Sequence, residues 1–421
     1  MMFMQPLPGF RDFLPEECAK RNYIFSRWRE VARRYGFAEW EGPPLEATEL
    51  YKKKSGAEIV DQLFNFTDKG EREVALRPEL TPTLARVVAA HEREFKKPLK
   101  WFSIGQFFRY EKQQRGRLRE HFQLNCDIVG EVDLAADVDL VALCIDVLRE
   151  FGLTEKDVVV RISDREFWTD FLRDKGVPPD SWDELLQVID KSGREPREKT
   201  AEKLGKLAEP AFATLQSGGK SEKLDKLIGG LRARGLADFV QIDVGIVRGL
   251  AYYTGIVFEL FDRAGKFRAI AGGGRYDNLI AQLSDGAVSL PALGFAMGDV
   301  VLAELINEVP SAREAMQNAI MRNRKIDIYV VIAKEERRAH AVTQVQMLRD
   351  RGYRVDYPLA PTKVARQFQA AEDAGASVAL LYGDEWPQVK VKNLPTREES
   401  LIDHGALLDS VTKFFTVPGS A

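Results

Sequence analysis

Basic side chains crowd one short stretch of the sequence, GQFFRYEKQQRGRLREHFQLNCDIVG at 105–130. From Arg109 to Arg119 there are five Lys or Arg and a single acid, Glu111. Arginine presents a fork of donors that matches the oxygens of a phosphate or carboxylate, so such a cluster suits a polyanion. Apolar segments on either side, Trp101 to Phe108 and His121 to Val129, flank a loop carrying Gly116 and predict two antiparallel strands. On composition alone the stretch also fits a solvated charged hairpin. Two further segments join glycine, which allows close backbone approach, to an Arg, Tyr or carboxylate, and a third, without glycine, joins Arg77, Arg86 and Glu79 to two prolines. They are LRPELTPTLAR at 76–86, VRGLAYYTGIVFEL at 247–260 and AGGGRYDNLI at 271–280. Taken singly each is weak: three glycines in a row are more often a turn or tight packing, and Tyr252 and Tyr253 fit a core. Arg248, in what reads as an apolar strand, is harder to dismiss, because an isolated cation in apolar surroundings is costly and needs a partner.

The elements that must carry these residues follow from pattern and punctuation. The chain has 421 residues, 45% hydrophobic and 30% charged, which suits two or three globular domains. A net charge of −3 gives no global basic field, so a nucleic acid would be met by local patches. The three cysteines show no C-x-x-C pair and read as reduced thiols of a cytoplasmic protein. The four histidines form no H-x-x-x-H pair, so no metal is assigned to protein ligands. There is neither a leader-like start nor an apolar run near the roughly 20 residues that span a bilayer, so no membrane partner is expected.

In chain order, Glu16 to Tyr35 predicts a helix, and Pro43 and Pro44 interrupt an extended edge or interface segment. Residues 63–77 predict a hairpin turning at Asp68 to Gly70, followed by a helix over Pro78 to His91. A strong helix is predicted from Ala135 to Phe151 and a helical insertion over about 165–235. Within it, Gly219-Lys220-Ser221 resembles the end of a P-loop, but Thr214 stands where the first glycine belongs and no strand precedes it. Strands are predicted at Phe239 to Val244 and Tyr252 to Phe261, and residues 307–324 read as a linker. Beyond it, strands and helices alternate, ending in a helix at 403–415, which predicts a separate α/β domain. The division is therefore 1–320 and 325–421.

In their order and spacing, the four segments closely resemble the signatures of the histidyl-tRNA synthetase family, a class II aminoacyl-tRNA synthetase group, over nearly the whole chain. FRYE…RGRLREHFQ resembles the second class II motif, EWEGPPLE the first, and RGLAYYTGIVFE and GGGRYD the histidine-specific motifs. The resemblance implies an α+β catalytic core, an antiparallel sheet flanked by helices, with a helical insertion and a C-terminal α/β anticodon-binding domain. It implies histidine–tRNA ligase activity on L-histidine, ATP with Mg2+ and tRNA(His), by a cytoplasmic homodimer with Pro43 at the interface. By the same resemblance, Glu79 and Thr81 hold the α-amino group, and Gln123 and Asp127 complete the amino-acid pocket. Tyr252, Tyr253 and Tyr276 line the imidazole site. Arg109 and Arg248 serve catalysis at the carboxylate and α-phosphate, while Glu111 and Arg117 join Arg109 at ATP. Lys112, Gln114, Arg115 and Arg119 are left for the tRNA acceptor end. The family usually has Glu at Asp127. Two departures are larger: Ala251 stands where many relatives have Asp, and Val301 replaces the third-motif arginine, with Arg275 and Arg268 as candidates to make up its phosphate contact. In the C-terminal domain, Lys363, Arg366, Lys390 and Lys392 are candidate phosphate contacts, and Tyr382 and Trp386 candidate stacking residues.

Overall fold

The computed structural model describes residues 4–415 apart from 56, 111–115, 117, 194, 219–220 and 249–251. The chain forms two compact units, Met1–Met316 and Gln317–Ala421.

In the first unit, α1 (Pro15–Arg34) begins on a proline, whose missing N–H is not needed in a first turn, and buries Ile24, Trp28, Val31 and Ala32 on one face. β1 (Ala38–Glu39) follows. β2 (Leu45–Ala47), β3 (Phe64–Thr67) and β4 (Glu73–Leu76) make a small sheet in the order β2-β4-β3, and α2 (Thr48–Ser55) lies between β2 and β3 in sequence. The Asp68 carboxylate closes the β3–β4 turn by accepting the N–H groups of Gly70 (2.8 Å) and Arg72 (3.0 Å). Next come α3 (Thr81–Ala90), then β5 (Leu99–Phe108) and β6 (Glu120–Val129), the two strands of the basic hairpin. α4 (Leu134–Arg149) is capped by Asp133, whose side chain accepts the Ala135 N–H at 2.8 Å.

β7 (Val158–Asp164) leads into the helical insertion. This comprises α5 (Arg165–Asp174), α6 (Trp182–Lys191), α7 (Arg197–Leu204), α8 (Ala208–Ser217) and α9 (Glu222–Ala233). Trp168, Leu172, Leu186, Ile189 and Phe212 form a core of their own there, tied down where the Trp168 indole donates to the Val244 carbonyl at 2.7 Å. β8 (Val240–Ile242), β9 (Ile256–Asp262), β10 (Ala271–Arg275), α10 (Leu279–Leu283), β11 (Ala292–Gly298) and α11 (Asp299–Glu308) complete the core. The main sheet has the order β1-β5-β6-β11-β10-β9-β7-β8, antiparallel except for its outermost pairs β1–β5 and β7–β8.

Residues 307–324 are not an irregular linker. They include α12 (Pro310–Arg324), which starts on a proline and is otherwise rich in Ala, Arg and Met, all strong helix formers. Ala312 and Met316 on it are buried.

The second unit is a five-stranded sheet built from β12 (Ile328–Ile332), β13 (Val355–Asp356), β14 (Val378–Tyr382), β15 (Gln388–Asn393) and β16 (Glu399–Asp403). The order is β13-β12-β14-β15-β16, parallel across the first three and antiparallel beyond. α13 (Arg338–Asp350) and α14 (Val364–Asp373) are its long helices. Its end carries one strand more than expected: residues 399–403 pair as an edge strand with β15. The helical stretch expected at 403–415 follows, running from His404 to Phe414 as successive 3-10 and α turns, and the Asp403 carboxylate opens it by accepting the Gly405 N–H.

Candidate active site

The basic hairpin and the three other segments singled out in the sequence converge on one pocket over the main sheet. Side chains of a strand alternate between faces, so every second residue of β6 (His121, Gln123, Asn125 and Asp127) lines it. Leu124, Cys126 and Ile128, on the opposite face, are buried in the core. Neighbouring strands supply room rather than side chains. Gly294 of β11 pairs with Asp127, and Gly272 of β10 pairs with Glu259 of β9. A Cβ at Gly294 would collide with the Asp127 carboxylate, and one at Gly272 with the Arg248 guanidinium. These two glycines are what allow the acid and the arginine into place.

The pocket has three chemically distinct ends. At the first, Glu79 lies just before α3 and Thr81 is the first residue of that helix. At the second, Tyr253 and Tyr276 are buried, and the Tyr276 hydroxyl donates to Asp127 Oδ1 at 2.5 Å. Tyr252 lies with its ring centroid 4.5 Å from that of Tyr253 and 6.1 Å from that of Tyr276. Burial pushes the Asp127 carboxyl up to about 7, with the Tyr276 hydroxyl pulling the other way. At the third, Arg109, Arg248 and Arg268 line the wall, and the Arg248 guanidinium adjoins the aromatic residues, 5.5 Å from the centroid of the Tyr253 ring. Arg109 Nε donates to the Pro78 carbonyl at 3.1 Å, and Arg248 Nη1 pairs with Glu259 at 2.7 Å. An ammonium site, a polar aromatic slot and a guanidinium cluster in one cavity suit an amino acid with a polar ring, held beside a phosphate ester.

Residues 9–299 match the family model described as histidyl-tRNA synthetase, and residues 327–414 match that of an anticodon binding domain. The chain belongs to the histidyl-tRNA synthetase family. It is 43% identical to the histidine–tRNA ligase of Opitutus terrae, over 99% of this chain and 100% of that protein. It is 38% identical to the chloroplastic/mitochondrial histidine–tRNA ligase of Arabidopsis thaliana, over 94% of this chain and 84% of that one. The fold is that of the S. aureus histidyl-tRNA synthetase crystallised in its apo form, with a TM-score of 0.73 at 24% identity over 97% of this chain and 100% of that one.

Several sequence readings are corrected by the geometry. Arg248 is not in a strand: it follows β8 in a loop, at a left-handed φ of 55°, and the partner its charge requires is Glu259. Its local backbone is strained for a non-glycine residue and is held by the ion pair and by the Arg165 guanidinium, which donates to its carbonyl at 3.2 Å. Of the two readings of the triple glycine, a turn or tight packing, the second holds: it is the middle of β10, where a Cβ at Gly273 would collide with the Gly294 carbonyl oxygen. Arg275 does not reach the pocket. It emerges on the other side of β10, ion-paired with Asp137 and with Asp277 (3.3 Å), and donates to the Glu131 carbonyl at 2.8 Å. Of the two arginines considered as substitutes at the phosphate end, only Arg268 lines the cavity. Val301 lines it too, 8% exposed, beside Val300.

Glu111, Lys112, Gln114, Arg115, Arg117 and Ala251 lie outside the described residues. Arg119 does not line the pocket; its carbonyl accepts the Arg109 N–H at 2.9 Å and its guanidinium lies 4.4 Å from the centroid of the Tyr110 ring. Among the described residues, no three carboxylate, histidine or cysteine side chains converge on a metal position, and no helix is long and apolar enough to cross a membrane. In the C-terminal unit, Tyr382 is 1% exposed and belongs to the core, and Trp386 is stacked on His340 at 4.4 Å and packed against His404 at 4.9 Å. Lys390 and Lys392 are paired with Glu385 (3.1 Å) and Glu399 (2.8 Å), whereas Lys363 and Arg366 are exposed.

Sequence reasoning missed Asn125, which shares the pocket face of β6, and Lys54, which is ion-paired behind the pocket with Glu79. Alternation from Gln123 and Asp127 would have found the first. Lys54 is the third of three consecutive lysines, and nothing in the run marks it as the buried one.

Proposed function

We propose that the protein is a histidine–tRNA ligase. It activates L-histidine with ATP to histidyl-adenylate and transfers the histidyl group to the 3′ end of tRNA(His). The observation that carries this reading is the Tyr276–Asp127 hydrogen bond at the aromatic end of a pocket whose other ends hold Glu79 and the arginines. With its hydrogen committed to Asp127, the Tyr276 oxygen turns lone pairs to the pocket and accepts an imidazole N–H. A ring lacking that N–H leaves buried polar groups unpaired, which is a strong basis for rejection.

Glu79 and Thr81 bind the α-ammonium group, and Gln123 lies along the amino acid. Arg109 and Arg248 neutralise the histidine carboxylate and the α-phosphate, so that the carboxylate oxygen attacks α-phosphorus in line and pyrophosphate leaves. Positioning and charge neutralisation supply the catalysis, with little proton transfer. The terminal adenosine hydroxyl of the tRNA then attacks the carbonyl carbon of the adenylate, and AMP leaves. Magnesium accompanies the nucleotide as part of the substrate, on its phosphate oxygens. Arg268 takes the place of the missing third-motif arginine beside Val301, while Glu111 and Arg117 at ATP, and Lys112, Gln114, Arg115 and Arg119 at the acceptor end, rest on sequence resemblance.

The catalytic domain covers 1–320 and the anticodon-binding domain 325–421. Exposure of Pro43, Pro44 and Leu45 supports a homodimer interface there, and the cysteine usage supports the cytoplasm. The test is pyrophosphate exchange into ATP by the purified protein. Exchange that depends on histidine is expected. Histidine binding without exchange would point instead to a non-catalytic relative of the synthetase.

A further inference from the structure

Lys54 is the one lysine of its run that turns inward. Lys52 reaches Glu73 at 3.0 Å and Lys53 reaches Asp285 at 2.9 Å, both near the surface, whereas the Lys54 side chain is 1% exposed. Its ammonium is ion-paired with Glu79 Oε2 and lies 4.1 Å from the centroid of the Tyr252 ring. Glu79 and Tyr252 both line the pocket, and Lys54 stands behind them. α2, which carries it, packs against β4, α3 and α10, so the backbone behind the ammonium is anchored on three sides.

This arrangement answers a difficulty in the site. Glu79 shares its cavity with Arg109 and Arg248, either of which is an attractive partner for a carboxylate. A Glu79 that collapsed onto them would abandon the substrate ammonium and would also occupy the cations needed at the phosphate. We propose that Lys54 is a positioning residue for amino-acid binding: from behind the wall it holds one oxygen of Glu79, and the face of Tyr252, so that the other oxygen is presented to the substrate α-ammonium. A carboxylate has lone pairs on both oxygens and serves two cations at once. Burial, with Arg109 and Arg248 nearby, lowers the Lys54 pKa, while Glu79 opposes that effect.

The inference rests on the ligase reading, and the test separates the two. Lys54→Met removes the charge and keeps the length of the stem. In histidine-dependent exchange, its KM for histidine should rise by about tenfold, the scale of a charge-assisted hydrogen bond. Its kcat and its KM for ATP should stay within about twofold of wild type. Inhibition by 3-(imidazol-4-yl)propanoate, which lacks the α-ammonium, should be unchanged, and adding Lys54→Met to Glu79→Gln should raise the KM for histidine no further. Lys54→Gln, which keeps an uncharged donor, should fall between wild type and Lys54→Met, and it carries the same comparisons if the methionine variant fails to fold. An unchanged or lowered KM for histidine, or an equal loss with the deamino compound, overturns the proposal while leaving the ligase reading intact. Wild-type protein without histidine-dependent exchange overturns both.

Discussion

Replacing Asp127 by Asn tests whether the floor of the pocket holds a reluctant carboxylate. The side chain is 5% exposed and accepts a hydrogen bond from Tyr276. Burial lifts its pKa from 3.8 to about 7. Between those values the native protein keeps a proton that the unfolded chain has released, so stability falls as pH rises through that window. At about 1.4 kcal/mol per unit, the cost reaches about 4 kcal/mol at pH 8 and about 2 kcal/mol at pH 5. Asparagine cannot ionise, and its amide oxygen still accepts from Tyr276. The Asp127→Asn variant should therefore be more stable than wild type at pH 8, and its advantage should shrink by about 3 kcal/mol at pH 5. Urea unfolding at the two pH values, followed by tryptophan fluorescence, measures this. Five of the six tryptophans lie before residue 317, so the signal reports on the unit that holds Asp127. An advantage that is the same at both pH values, or larger at pH 5, refutes the argument.

Two other perturbations separate function from support. Arg248→Ala should slow histidine-dependent pyrophosphate exchange by about 10²- to 10³-fold, the usual effect of removing a preorganised charge stabiliser, and Gly272→Ala should act in the same direction by displacing that guanidinium. A Gly272→Ala protein with wild-type exchange would show that the close packing does not position Arg248. Arg275→Ala should instead cost stability, about 3–5 kcal/mol for stranding Asp137 in a buried pair, and leave the KM for ATP unchanged. A raised KM for ATP with unaltered urea unfolding would return Arg275 to the phosphate site.

The sheet floor was legible because it rests on local signals. The apolar runs around Gly116 and the turn residues at 68–70 each name a hairpin without outside help, and both form. The site residues were legible in kind: Glu79, Asp127, Arg248 and Tyr276 all line the pocket. Their settings were not. Arg248 reads as part of an apolar strand because its neighbours Val247 and Leu250 are apolar, yet it occupies a left-handed loop conformation. α12 reads as a linker because its opening proline and polar residues hide a helix whose buried stripe is only a few side chains wide.

What the sequence determined by itself was an inventory: which elements exist, which segments bear chemistry, and that the third-motif position holds a valine. Those are properties of residue types at short spacing, carried by backbone preference and apolar period. Only the tertiary structure decided direction. Lys52, Lys53 and Lys54 are identical in kind and adjacent in chain, yet the turn of one helix sends two to surface acids and the third behind Glu79. In sequence Arg268 and Arg275 are equal candidates for the phosphate, yet Arg268, just before β10, lines the pocket, while Arg275, at the end of that strand, turns to Asp137. A buried charge goes where its counter-charge is, and that partner can lie more than a hundred residues away, as Asp137 does from Arg275.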